Sequence, residues 1–147
     1  MREPAGDARG LAPLGKAHLS LGAAALILFV GTGAWMHFRY DHLRGMTDAT
    51  RLLFRSTHIY LLFAALLNLA IGLNLRSVPP GWTRVAQLAG SALLLATPLL
   101  FLAGFMSEPW LGDLQRPWSR PGIYASLAGV LLHLVARGSE QESNGRH

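Results

Sequence analysis

Residues 85–107, VAQLAGSALLLATPLLFLAGFMS, contain no Asp, Glu, Lys or Arg and are flanked by Arg84 and Glu108. Three further runs share this character, at residues 17–38, 56–75 and 121–136. A helix crossing a bilayer needs roughly 20 predominantly apolar residues. Three runs reach that length, and the fourth, 121–136, falls short of it. The pattern predicts a multi-pass membrane protein.

We expect an all-α integral membrane protein with four transmembrane helices in an antiparallel up-down bundle, spanning 17–137 as one domain. Residues 1–16 and 138–147 mix charge, Gly, Pro and Ser without apolar periodicity and are predicted to be disordered tails. Residues 17–38 could also be taken for a cleaved secretory signal, but we expect them to be retained as a span. Thr47 is predicted to cap a helix that continues into the second run.

Composition excludes several chemistries. Hydrophobic residues make up 51% of the chain, and it has no cysteine, which rules out disulfides and thiolate metal sites. The net charge of +5 comes from arginines near the run ends. Arginines in those positions meet anionic headgroups, so we expect a lipid bilayer as partner and no nucleic acid. Twelve arginines against one lysine suggest a bacterium with a GC-rich genome, and hence the bacterial cytoplasmic (inner) membrane.

Small and polar residues follow one face of each run, which is how helices pack in lipid. We expect close packing over these positions: Ala64, Asn68, Gly72, Gly90, Thr97, Gly104, Ala125 and Gly129. Pro98 should free the backbone carbonyl of Leu94 and kink the third helix, with Thr97 as a nearby donor.

Two histidines, His58 and His133, lie on these inner faces and are the candidate functional residues. Their positions within the second and fourth runs place them at opposite depths, so they cannot ligate one haem iron. His58 could instead pair with His37 or His42, and His133 with His18. Such a pair could supply ligands, which gives an alternative function: a small membrane redox protein that binds haem b, a metal or a quinone.

A second alternative, a glutathione-handling membrane enzyme, rests on Arg51, Arg55 and His58. They resemble the Arg, Arg, His cluster that microsomal transferases carry at the start of the second span, although the spacing in RLLFRSTH differs. Proton-coupled transport is disfavoured, because all eight acidic residues lie outside the runs.

The function that we expect is that of an accessory or interaction component without catalysis of its own, with no cofactor or metal predicted. Its partners would be lipid, other membrane proteins or a second copy of the chain. Four spans place both termini on the same side. The side is unresolved, because seven Lys and Arg residues fall on one side and six on the other.

Overall fold

The computed structural model describes residues 8–76, 78, 80–112 and 114–144, with side chains described between 13 and 138. Four helices account for most of this part: α1 (Ala8–Tyr40), α2 (Asp48–Asn74), α3 (Trp82–Ser107) and α4 (Ser119–Asn144). Two short 3-10 helices, Asp41–Leu43 and Glu108–Trp110, follow α1 and α3. The described residues form no strand, so the all-helical prediction is confirmed.

Three helical segments are long and apolar enough to cross a membrane: Pro13–Leu43, Asp48–Asn74 and Trp82–Trp110. Within the described residues α4 does not meet the same criterion, because polar residues follow its apolar stretch. The shorter fourth run in the sequence is the origin of this difference.

The ends of the chain differ from the predicted tails. Helix α1 begins at Ala8, well before the predicted span at residue 17, and α4 continues to Asn144. Residues 8–16 and 138–144 are therefore helical extensions of the first and last runs. The rest of each predicted tail, 1–7 and 145–147, lies outside the described residues.

Helix α2 begins where its sequence predicts a cap. The Thr47 hydroxyl accepts a hydrogen bond from the backbone N–H of Thr50, which satisfies one of the free donors of the first turn. Helix α3 begins after Gly81, whose φ of 140° is a conformation that side-chain-bearing residues rarely adopt. Both helix starts are thus encoded locally.

The closest helix pairs are α1 with α2 and α3 with α4, and α2 packs on α3 to join the two pairs. Glycines mark the close approaches. A Cβ at Gly90 would lie 2.9 Å from the carbonyl oxygen of Gly129, and one at Gly72 would lie 3.0 Å from that of Gly15. The helix backbones therefore touch directly at these two positions.

The other residues expected at the packing faces occupy varied environments. Ala64, Asn68 and Thr97 are fully buried, and a Cβ at Gly104 would meet the Ser119 hydroxyl at 2.7 Å. Ala125 is only half-buried and lines a shallow outer groove beside Arg120.

The outer surface is apolar along the uncharged runs of the helices. Large apolar side chains lie on the outside of the helices and are exposed. Examples are Phe38, with 83% of its surface exposed, and Leu73, with 75%. Polar side chains such as Asn68, Ser91 and Thr97 are instead buried between the helices. This inversion of the usual soluble pattern suits a hydrocarbon environment.

Substituting Gly129 with Ala should destabilise the α3–α4 pair. The new Cβ would lie 2.7 Å from Leu94 Cγ and 3.0 Å from the carbonyl oxygen of Gly90, so the helices must separate. We expect a loss of about 1–3 kcal/mol, the range for overpacked interiors. Thermal unfolding in detergent, followed by circular dichroism, measures it.

Gly138→Ala is the matched control, because it lies in the same helix and a Cβ there meets nothing within 4 Å. It should leave the midpoint unchanged or raise it slightly, since Ala favours helix over Gly. Equal midpoints for the two variants would contradict the close approach of α3 and α4.

Candidate functional site

A hydrogen-bonded cluster around Asn68 lies between α1, α2 and α3. Pro98 has no N–H, so the Leu94 carbonyl one turn earlier loses its helical donor. Asn68 Nδ2 of α2 donates to this oxygen at 3.0 Å, and Thr97 Oγ1 donates to it at 2.8 Å. The expected local donor, Thr97, is confirmed. Asn68, whose partner the sequence did not reveal, supplies a second donor from another helix.

The side-chain amide oxygen of Asn68 orients His18 of α1. Asn68 Oδ1 lies 2.8 Å from His18 Nδ1. Because an amide oxygen only accepts, His18 Nδ1 is the donor, and in the neutral ring Nε2 is then the acceptor. His18 is 0% exposed, and Nε2 has no hydrogen-bond partner among the described residues.

His133 of α4 lies beside His18. Their rings meet edge to face with centroids 6.3 Å apart, and His133 Nε2 lies 3.1 Å from the Ser91 hydroxyl of α3. The structure thus brings His133 to His18, the neighbour considered for it from sequence. Ser91 holds the ring at its Nε2, so this histidine is engaged in joining α3 and α4.

His58 lies in a separate cluster near the other end of α1. Its Nδ1 is 3.0 Å from the Thr32 hydroxyl, and its ring stacks on Phe29 at 4.1 Å between centroids. His18 and Thr32 both lie on α1, and a rise of 1.5 Å per residue separates them by roughly 20 Å. His58 and His133 therefore occupy two distant clusters.

His37 and His42 form a pair next to His58. Their Nδ1 atoms are 3.3 Å apart, and both side chains are exposed. Together with His58 and Arg55 they line a cavity of about 240 Å³. The direct partners of His58 are nevertheless Thr32 and Phe29 of α1, and not either of these histidines.

The chemistry that these clusters can support is limited. Within the described residues no three His, Asp or Glu side chains are grouped closely enough to hold a metal ion. The cavity beside His58 is smaller than the roughly 300–1,000 Å³ of common ligand pockets, which leaves little room for a porphyrin. His18, His58 and His133 each contact a side chain of a neighbouring helix, whereas His37 and His42 contact each other.

A buried carboxylate is the polar group that sequence reasoning missed. Glu108 is fully buried after α3, and its Oε1 accepts hydrogen bonds from the backbone N–H groups of Trp118 and Ser119 at 3.0 and 2.7 Å. Its Oε2 accepts from the Ser119 hydroxyl. Glu108 therefore caps the N-terminus of α4, where the helix dipole favours negative charge. In the sequence it is one charge among several in a polar link.

No protein-family model, curated protein or solved structure matches this chain.

Replacing Asn68 with Leu keeps the branching and the number of side-chain heavy atoms but removes three hydrogen bonds. His18 Nδ1 loses its acceptor, and the Leu94 carbonyl retains only Thr97. A buried donor without a partner costs about 1–3 kcal/mol, so the thermal midpoint in detergent should fall accordingly.

Asn74→Leu in the same helix is the control, because Asn74 is exposed and its side chain donates to the carbonyl of Ala70 within α2 and not to another described helix. Its effect should stay within about 0.5 kcal/mol, as for most surface substitutions. If Asn68→Leu were as mild as this control, the cluster would not hold the helices together.

Proposed function

We propose that the chain is a four-span integral membrane protein with an antiparallel up-down bundle. The contacts between helices support this arrangement. His18, early in α1, meets Asn68, late in α2, whereas Thr32, later in α1, meets His58, early in α2. Helices that pair in this reversed order run antiparallel.

The second helix pair supports the same topology. Gly90, early in α3, packs on Gly129, near the middle of α4, whereas Gly104 near the end of α3 lies against Ser119, the first residue of α4. The link between α3 and α4 returns to the end where α2 begins, because Arg116 Nη1 donates to Ser56 Oγ at 2.9 Å. Alternate links therefore share one end of the bundle.

The fourth span is the apolar part of α4, residues 121–136. Arg120 and Arg137 flank it, and their long side chains can reach the headgroup layer from a short span. An even number of spans then places both termini on one side. The arginine-rich composition is the ground for assigning the bacterial cytoplasmic membrane.

Within that membrane we propose an accessory or interaction role without catalysis of its own. One observation carries this proposal: the inner histidines are held by side chains of neighbouring helices. Asn68 holds His18, Ser91 holds His133 and Thr32 holds His58. Side chains used in this way give the bundle a defined shape. The apolar outer surface is then available to lipid, to other membrane proteins or to a second copy of the chain.

A second candidate function is favoured by the histidines at the end of α1. His37, His42 and His58 line one cavity beside Arg55, so a small redox or metal-binding site could form there. Rotation of the exposed His37 and His42 would be needed to direct their nitrogens at a shared ligand. Of the three residues of the glutathione alternative, Arg55 and His58 line this cavity, whereas Arg51 pairs with Asp48.

Single cysteines test the four-span topology, because the chain has none of its own. Arg44, Pro80 and Leu114 are exposed residues of the three links. In spheroplasts or inverted vesicles, a membrane-impermeant maleimide should label Arg44→Cys and Leu114→Cys from one side. It should label Pro80→Cys from the opposite side only. Labelling of Pro80→Cys and Leu114→Cys from the same side would contradict the proposed topology.

A visible spectrum and a metal analysis of the protein purified in detergent separate the two functional candidates. The accessory proposal predicts a colourless, metal-free preparation. A Soret band or bound metal that disappears in His58→Ala, but persists in His133→Ala, would overturn it in favour of the cavity at the end of α1. The His133→Ala control removes a histidine of the distant cluster.

A further inference from the structure

A cavity of about 80 Å³ with a mostly apolar lining lies where the end of α2, the beginning of α3 and the second half of α4 meet. Its polar lining includes Arg76, Gln87, His133 and Arg137, and its apolar lining includes Ile71, Val130 and Leu134. One ordered water needs about 10–15 Å³ of such space, so the cavity can hold a group of several atoms. It is amphipathic, with cationic and apolar walls.

The two arginines lack an anionic partner within the part of the chain that the structure describes. Ion pairs there join Arg44 to Asp41, just before α2, and Arg51 to Asp48, in the first turn of α2, so both lie at the opposite end of that helix from the cavity. Arg76 follows the C-terminus of α2, and Arg137 lies in α4 after the apolar stretch. Two guanidinium groups lining one cavity favour a bound anion, and a phosphate suits their donor geometry.

Gln87 adds a second requirement. It is 3% exposed, and its Nε2 donates to the backbone carbonyl of Arg76 at 2.8 Å. This bond assigns the other terminal atom, Oε1, as an acceptor, and Oε1 has no hydrogen-bond partner among the described residues. A buried acceptor without a donor is costly. The ligand should therefore carry an N–H or O–H donor close to its phosphate.

We propose that this cavity binds the headgroup of a phospholipid that bears a hydrogen-bond donor, namely ethanolamine or glycerol. The phosphate would contact Arg76 and Arg137, and the ammonium or hydroxyl would donate to Gln87 Oε1. An acyl chain would lie along Ile71, Val130 and Leu134. A choline headgroup has the same phosphate but no donor, so the cavity discriminates against it.

The position of the cavity agrees with this ligand. Arginines at the ends of spans lie at headgroup depth, where anionic phosphates are concentrated. The proposal rests on the membrane insertion proposed above, and cysteine labelling tests that insertion separately. A free phosphate shares the anionic chemistry, and its P–OH group can donate, but it supplies no acyl chain for Ile71, Val130 and Leu134.

The test uses the full chain, delipidated in detergent, with four probes. Three are phosphatidylethanolamine, phosphatidylglycerol and phosphatidylcholine with identical acyl chains, and the fourth is inorganic phosphate. Native mass spectrometry measures bound lipid, and the thermal midpoint measures protection. We expect phosphatidylethanolamine and phosphatidylglycerol to bind roughly two- to tenfold tighter than phosphatidylcholine, the factor for one hydrogen bond of ordinary net strength. Inorganic phosphate should protect little.

Two sets of variants assign any binding to the cavity. Arg76→Gln with Arg137→Gln should weaken all three lipids, whereas the charge-matched pair Arg39→Gln with Arg44→Gln should not. Arg39 and Arg44 are exposed and lie near the other end of α2. Gln87→Leu should abolish the preference over phosphatidylcholine, with circular dichroism confirming that the variant is folded.

The wild-type comparison alone can overturn the proposal, whatever the variants do. Equal binding of phosphatidylcholine and phosphatidylethanolamine would remove the role of Gln87. Protection by inorganic phosphate equal to that by phosphatidylglycerol would point to a soluble anion instead.

The variants give a separate result that would overturn the proposal. Equal loss of binding in the two arginine pairs would show that lipid binding follows the net charge of the protein and not this cavity.

Discussion

The arrangement of the helices depends on the backbone carbonyl that Pro98 leaves without a donor. In water such a group would simply be hydrated, but in an apolar interior it must find a partner or destabilise the fold. Asn68 of α2 and Thr97 of α3 both donate to the Leu94 oxygen. The proline therefore creates a polar point on α3, which Thr97 satisfies from the same helix and Asn68 satisfies from α2. That requirement fixes how α2 lies against α3.

One side chain then transmits this constraint to a third helix. Asn68 uses its amide nitrogen on Leu94 and its amide oxygen on His18, so α1, α2 and α3 meet at a single residue. Hydrogen bonds between membrane helices average about 0.6 kcal/mol, so no one of them holds the bundle by itself. These hydrogen bonds act mainly through their geometry. A bond of fixed length and direction selects one relative position of two helices among the many that apolar packing tolerates. The close glycine approach of α3 and α4 works in the same way for the last helix.

Much of the fold could be predicted from sequence, and the reasons are local. Uncharged runs indicate helices, Thr47 is a cap, and Pro98 with Thr97 reveals a freed carbonyl and its donor, all within one turn of chain. What escaped prediction depends on distant residues. Asn68 is recognisable as an inward polar residue, but nothing local says that its partners are Leu94 and His18. Glu108 looks like a solvated link residue until the chain folds back and places Ser119 beside it.

The two ends of the bundle differ in how completely their polar groups are satisfied. Near the end of α1, His58 has Thr32 and Phe29, and the exposed His37 and His42 contact each other. At the opposite end, two buried atoms, His18 Nε2 and Gln87 Oε1, remain without partners among the described residues. Both are acceptors. In each residue the other side-chain polar atom already makes a hydrogen bond, so rotating the side chain would break one bond to make another.

An unpaired acceptor in an apolar interior lowers the stability of the fold, and a fold retains it most readily where a ligand donates to it. Of the two, only Gln87 lines a cavity with unpaired arginines within the described part of the chain. That asymmetry favours a ligand at the end of the bundle formed by α2, α3 and α4, where His133 also lines the cavity, over one at the histidines near the end of α1.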